Sequence, residues 1–346
     1  MKLVMDISVT SRPLRVGRAF DPGALFAGGV AGGAYIAAQS DTVFSDQAGQ
    51  VPAQIGQSAA RVDDSGANLQ HMIQPSSALR PLLGRAPVDA APGGPIDQGS
   101  GPSFLRFDLS DDAMGTTFAD GGTFDVMVFG RQGSWIERDV AIAAGASLNI
   151  GPRSFAGAPQ GVLAALGDIV GWVAVGRTLI PGEVTRLLRY FGGYGAKGLL
   201  VPQGDVITNG DFADGTANWE PSPSETVLTA SNGALTVTIG AEHAVSSTAR
   251  TSQEVVVDPD TWYLFEAESL DFSGPGIRYG VGVTGVGTAE RGMMESPVFT
   301  HTGDFRAVFK SSGALAYPRL FCWSNQAGSG HFATFAGVSL RKLEAV

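Results

Sequence analysis

Glu225-Thr-Val-Leu-Thr-Ala-Ser-Asn-Gly-Ala-Leu-Thr-Val-Thr-Ile239 is the stretch whose reading decides the fold. Two runs rich in β-branched residues flank Asn232-Gly233, and Asn-Gly supplies the positive φ angles that a tight hairpin turn needs. The segment predicts a two-stranded hairpin. Outward from it, strand-like runs recur at 252–257, 262–270, 277–284, 304–311, 317–324 and 332–343, with turn residues between them. Strands at this spacing predict a β-sandwich or jelly roll for residues 204–346.

Composition agrees over the whole chain of 346 residues. Hydrophobic residues make up 44 % and charged residues 16 %, so a packed core is within reach. The 48 glycines and 19 prolines favour short strands and tight turns over long helices. The predicted class is mainly β.

Charge is unevenly placed. Residues 1–203 carry 15 Lys+Arg against 17 Asp+Glu, whereas residues 204–346 carry 8 against 16. The acidic second half repels phosphate backbones and anionic lipid, so neither nucleic acid nor membrane insertion is expected. An acidic surface with no function beyond solubility explains the same numbers. Cys322 is the single cysteine, which excludes an internal disulfide and suits synthesis in a reducing cytoplasm. Residues 1–6 hold no apolar run of signal-peptide length, and the stretch 24–38 is broken by Gly28, Gly29, Gly32 and Gly33.

Three regions emerge. Residues 1–100 show weak periodicity and end in a Pro/Gly-rich stretch at 87–102, which predicts an extended region lying along another subunit. Residues 101–203 hold strand-like runs at 104–109, 124–129 and 168–175. One helix follows over 181–191, where Val184, Leu187, Leu188 and Phe191 form a single apolar stripe. A break near 200–204 then opens the third region, 204–346.

Catalytic constellations are sparse. His71, His243, His301 and His331 lie far apart without metal-ligand spacing, and no G-x-S-x-G elbow occurs. Gly280-Val-Gly282-Val-Thr-Gly285 matches a dinucleotide fingerprint, but it sits in an alternating run with Ile277, Tyr279, Val281 and Val283 on one face. The run predicts a strand whose glycines lower the opposite face. Glu266 and Glu268 share a strand face without a partner across a cleft, as sugar cleavage would require. Asp111-Asp112 reads as a turn or a cation-binding loop. No enzymatic activity and no cofactor are expected.

Aromatic placement is more informative. Tyr317, Arg319, Phe321 and Trp323 alternate onto one face of a strand, with Leu320 and Cys322 on the other. If Leu320 and Cys322 face the core, the opposite face offers aromatic rings for stacking on sugars and an arginine for their hydroxyls. If the aromatics face the core, they are packing. Trp262, beside Tyr263, poses the same alternative. The candidate carbohydrate-binding residues are therefore Trp262, Tyr317, Arg319 and Trp323.

Two segments resemble known families. Leu25-Phe26, Phe44-Ser-Asp46-Gln-Ala-Gly49, Val51-Pro52, Ile55-Gly56, Asp64-Ser65-Gly66, His71, Gln74 and Arg80-Pro81 follow, in order, a module that recurs in phage fibre, spike and minor virion proteins and in gene transfer agents. The aromatic-Asp-Pro element usual in that module is replaced by Tyr35-Ile-Ala-Ala-Gln39. The resemblance implies a concanavalin-like (laminin-G-like) sandwich. Its opening is similar to residues 105–112 and its close to residues 173–179 and 183–191. The middle, between Phe124 and Gly171, is short, so a degenerate version is expected.

Residues 204–346 resemble the galactose-binding-like jelly rolls of carbohydrate-binding modules. Ile207-Thr-Asn209-Gly210-Asp211-Phe212 with Trp219 is the opening, and Phe335-Ala-Gly-Val-Ser-Leu340 the final strand. Such modules commonly hold a structural calcium through an acidic residue before the last strand. Ala336 stands near that position here, which argues against calcium, and Asn209, Asp211 and Asp214 are the residues whose oxygens would hold it.

Together the resemblances imply a virion structural protein, a head spike, head fibre or tail fibre. Its N-terminal part would attach to capsid, neck or tail proteins, and its C-terminal jelly roll would bind host surface polysaccharide. A homo-oligomer, trimer or pentamer, follows from the symmetry of such attachment points. The competing readings are a structural connector without sugar binding and a polysaccharide depolymerase.

Overall fold

The computed structural model describes residues 20–65, 68, 70–90, 94–107, 114–151, 153–155, 161–163, 168–241, 248–283, 293–296, 298–323 and 329–345. The chain is mainly β. Four sheets form two sandwiches, with one α-helix among the described residues.

The first sandwich is organised around strand Asp168–Val175, a continuous apolar run buried along its whole length. Such a run needs cover on both faces. Trp172 and Ala174 face one hydrophobic core, and Val173 and Val175 the other. Its sheet also holds Gly32–Tyr35, Leu82–Arg85, Ser103–Arg106, Gly122–Gly130 and Ser134–Ile142. The facing sheet runs through Gly161–Leu163, Ser147–Gly151, Met114–Thr117, Met72–Ile73, Arg61–Val62 and Val43–Phe44.

Helix Pro181–Gly192 covers the other side of the first sheet, as its apolar stripe predicts. Leu187 and Phe191 are fully buried there, and Phe191 stacks on Phe129 with ring centroids 4.0 Å apart. Glu183 reaches back to accept from the Ile180 N–H at 3.1 Å and pairs with Arg177. The helix start is thus closed by one carboxylate serving two donors.

Residues 20–100 correct the expectation of an extended region along another subunit. Tyr35, Val43, Val62, Met72 and Leu83 sit in the same core as Leu105, Val126 and Trp172. The strands responsible are two to four residues long and punctuated by Gly and Pro, too short to leave a periodic signature. They supply strands to both sheets of the sandwich. Between Phe124 and Gly171 the chain adds strands Ser134–Ile142 and Ser147–Gly151 as well.

One sheet of the second unit runs, antiparallel throughout, through Arg153–Phe155, Gly303–Lys310, Trp262–Phe272, Phe332–Ala345, Ala234–Ile239 and Thr226–Ser231. Leu200–Asp205 also pairs with Phe332–Ala345. The facing sheet holds Glu220–Ser222, Ala249–Ser252, Leu315–Trp323, Gly276–Gly282 and Met294–Glu295, with Val255–Val256 beside Leu315–Trp323. Along the chain, the long strands cross back and forth between the two sheets. This is a jelly-roll sandwich.

The deciding hairpin forms as read: Thr226–Ser231 pairs with Ala234–Ile239 around Asn232 (φ 52°) and Gly233 (φ 74°). One boundary moves. The break near 200–204 is strand Leu200–Asp205, with Pro202 opposite Leu343, as an edge strand allows.

The two sandwiches meet in a packed seam. Trp135 and Leu200 contact Leu264, Val308 and Leu343. Arg306 binds both oxygens of Glu137 at 2.7 Å and Glu266 at 2.9 Å, and Glu266 also binds Arg341. Strand Arg153–Phe155, from the sequence of the first unit, pairs with Gly303–Lys310 in the second.

Candidate functional site

Strand Leu315–Trp323 settles which face is core. Ala316, Leu320 and Cys322 point inward and are fully buried, so burial pushes the Cys322 thiol up to about 12. Tyr317, Arg319, Phe321 and Trp323 therefore share the outer face, the arrangement that the platform reading required. Neighbouring strands add Arg278 opposite Phe321 on one side and Arg250 on the other, with Ser252 beside Arg319.

The glycine alternation also holds. Ile277, Tyr279 and Val281 are core, and Gly276, Gly280 and Gly282 lie on the outer face. The space they leave is filled from the same face. A Cβ at Gly282 would strike the Arg319 guanidinium, and one at Gly280 would lie 3.2 Å from the Phe321 ring. The side chains of the central strand thus lie flat across the glycine strand.

The result is a pavement of alternating rings and cations. The Arg278 guanidinium lies 5.1 Å from the Trp323 ring centroid, bonds Glu295 at 2.5 Å and donates to the Ser296 carbonyl at 3.2 Å. The Tyr317 hydroxyl donates to Glu254 at 2.7 Å, and this bond raises the tyrosine pKa. Arg250 donates to Ser222 at 3.3 Å, and burial lowers its pKa. Flat rings beside fixed donors and carboxylate acceptors can stack on a sugar's C–H face and bond its hydroxyls.

Exposure qualifies the reading. Tyr317 and Arg319 are each only 5 % exposed, whereas Trp323 and Arg278 are half-buried and Glu254 and Glu295 exposed. The accessible parts of the face are its Trp323–Arg278–Glu295 end, with Arg250 beside Phe321, and Glu254 at the Tyr317 end.

Trp262 is not part of this face. It lies on the opposite sheet and packs against the seam cluster of Trp135, Leu200, Leu264, Val308 and Leu343. Its strand alternates so that Tyr263 is core and Trp262 faces the first sandwich, a partner its own sequence cannot reveal. Arg278 was legible, since it alternates with Gly276 and Gly280. Arg250 was not, because its strand begins three residues before the run read from sequence.

Asn209, Asp211 and Asp214 come together in one loop, where side-chain oxygens serve the backbone. Asn209 Oδ1 accepts from the Asp214 N–H at 2.9 Å, its amide donates to the Gly215 and Ala217 carbonyls, and Asp211 Oδ1 accepts from the Ala213 N–H. Among the described residues, no group of three His, Cys, Asp or Glu is placed to hold a metal, and no helix is long and apolar enough to cross a membrane. Asp111, Asp112, His243 and Gly285 lie outside the described residues.

No family model and no curated protein matches the sequence. Solved structures do. A CBM4 carbohydrate-binding module is 10 % identical, with 39 % of this chain and 99 % of that one covered and a TM-score of 0.32. The second N-terminal cellulose-binding domain of the Cellulomonas fimi β-1,4-glucanase C is 18 % identical over 40 % of this chain and 94 % of that one, at 0.29. The enzymatically active domain of tailspike protein 4 of bacteriophage CBA120 is 13 % identical over 40 % of this chain and 21 % of that one, at 0.31. At these values the fold assignment rests on the strand order itself.

Proposed function

We propose that the chain is a non-enzymatic structural component of a phage-type particle whose jelly roll binds host surface polysaccharide. The supporting observation is the outer face of strands Gly276–Gly282 and Leu315–Trp323, where Trp323, Arg278 and Glu295 form a half-open ring-cation-carboxylate edge. Tyr317, Arg319 and Phe321 continue the same face along the strand and are nearly fully buried. The ordered module at residues 25–81 supports the virion role, with attachment to capsid, neck or tail proteins and assembly as a trimer or pentamer. Synthesis in the host cytoplasm and location on the virion follow from that role.

The burial of Tyr317 and Arg319 favours a second reading, a connector in which this face only packs. Pull-down of purified host capsule or envelope polysaccharide by the intact protein separates the two. Capture by wild type and its loss in Trp323→Ala support the first reading. No capture from any host envelope leaves the connector.

A further inference from the structure

We propose that the first sandwich carries its own groove for a neutral oligosaccharide, independent of the aromatic face of the jelly roll. The groove, about 680 Å³, lies on the outer face of the sheet formed by Met72–Ile73, Met114–Thr117 and Ser147–Gly151. Alternation puts Met72, Met114, Leu148 and Ile150 in the core and Ile73, Gly115, Thr117, Ser147 and Asn149 outside.

The floor is polar and neutral. Thr117 Oγ1 and Ser147 Oγ lie 3.0 Å apart on paired strands. Asn149 lays its carboxamide over Gly115, where a Cβ would strike Asn149 Oδ1. Ile73, in register with Gly115, and Pro75 add apolar surface at the side. Hydroxyls and amides next to apolar strips match a sugar, which carries hydroxyls on its rim and C–H groups on its faces.

Charge favours a neutral ligand. No Asp, Glu, Lys or Arg lines the groove among the described residues. His71 is the one ionisable lining group. Asp63 lies 2.9 Å from it and also binds Arg61 at 2.6 Å.

A further observation points to a ligand. Gln70 lines the groove, and its buried Oε1 has no hydrogen-bond donor among the described residues. Its backbone is fixed on both sides: the carbonyl accepts from the Tyr35 hydroxyl at 2.6 Å, and the N–H donates to Asp64 at 3.2 Å. Tyr35 in turn stacks on Trp172 in the core. A ligand hydroxyl that reaches the covered Oε1 would supply the donor it lacks.

The test is affinity electrophoresis of the intact protein through gels containing dextran, mannan, galactan or xylan as neutral probes, with heparin and alginate as acidic ones. Wild type, Trp323→Ala and the double variant Thr117→Ala/Ser147→Ala are compared, with thermal unfolding as a check on the fold. The groove predicts retardation by a neutral probe that survives Trp323→Ala. Loss of two hydroxyl partners should weaken it about fivefold or more. Retardation lost in Trp323→Ala and unchanged in the double variant overturns the groove and supports the jelly-roll face. Retardation by acidic probes alone, or by none, also overturns it, the former leaving the jelly-roll face open. Should the double variant unfold, Asn149→Asp in the Trp323→Ala background, which keeps the shape but places a charge on the floor, must abolish neutral-probe retardation or the groove is refuted.

Discussion

The seam between the sandwiches offers the sharpest test of the architecture, through Glu137 and Arg306. Glu137 belongs to the first sandwich and Arg306 to the second, with side chains 13 % and 27 % exposed. Burial pulls the arginine pKa down, but the adjacent Glu137 and Glu266 outweigh it and the net shift is upward. Arg306→Met would leave Glu137 and Glu266 with Arg341 as the remaining guanidinium at Glu266. Exposed pairs are worth up to about 1 kcal/mol, and breaking a buried pair costs about 3–5 kcal/mol. This half-buried, two-carboxylate site should cost about 2–4 kcal/mol, in line with that range. Glu137→Gln leaves Arg306 paired with Glu266 and should cost about 1–2 kcal/mol. Urea unfolding of wild type, both single variants and the double variant gives the coupling energy, expected at about 1–2 kcal/mol. A coupling within about 0.3 kcal/mol of zero would refute the seam as the contact between the sandwiches.

Further expectations follow from particular residues. Glu183 is held below its ordinary value of 4.5 by Arg177, so its contribution is present above that pH and lost as pH falls through the lowered value; Glu183→Gln should flatten acid unfolding in that window. Cys322 should resist thiol reagents at pH 8 in the native protein and react once the chain is unfolded, because burial keeps it protonated. Gly210→Ala should destabilise the jelly roll by about 2 kcal/mol or more in urea, since its Cβ would strike the Val338 carbonyl where opening and final strand meet. A fragment starting at 204 should melt below one starting at 200, because it loses most of the strand paired with Phe332–Ala345 and uncovers Leu343.

The jelly roll was legible because its strands are long, half-exposed and alternating, so period and turn chemistry agree. The hairpin at Asn232-Gly233 and the helix stripe ending at Phe191 are cases where local sequence and packing point the same way. Residues 20–100 were not legible. Strands such as Val43–Phe44 and Arg61–Val62 have two residues each, and their order comes from a core that residues 104–175 supply. Site residues divide in the same manner. The outer face of Leu315–Trp323 followed from alternation alone, whereas the burial of Arg319 depends on glycines in the neighbouring strand. Trp262 lies away from that face because the seam cluster it packs against includes residues of the first sandwich, far earlier in the chain.

The central claim is that the Trp323–Arg278–Glu295 edge binds polysaccharide from the host surface. Calorimetric titration of the intact protein with that purified polysaccharide tests it most directly. The account predicts saturable binding in wild type, weakened about tenfold or more in Trp323→Ala through loss of a stacking ring, with unfolding unchanged. Equal affinity of wild type and Trp323→Ala, or no heat of binding with either, would contradict it.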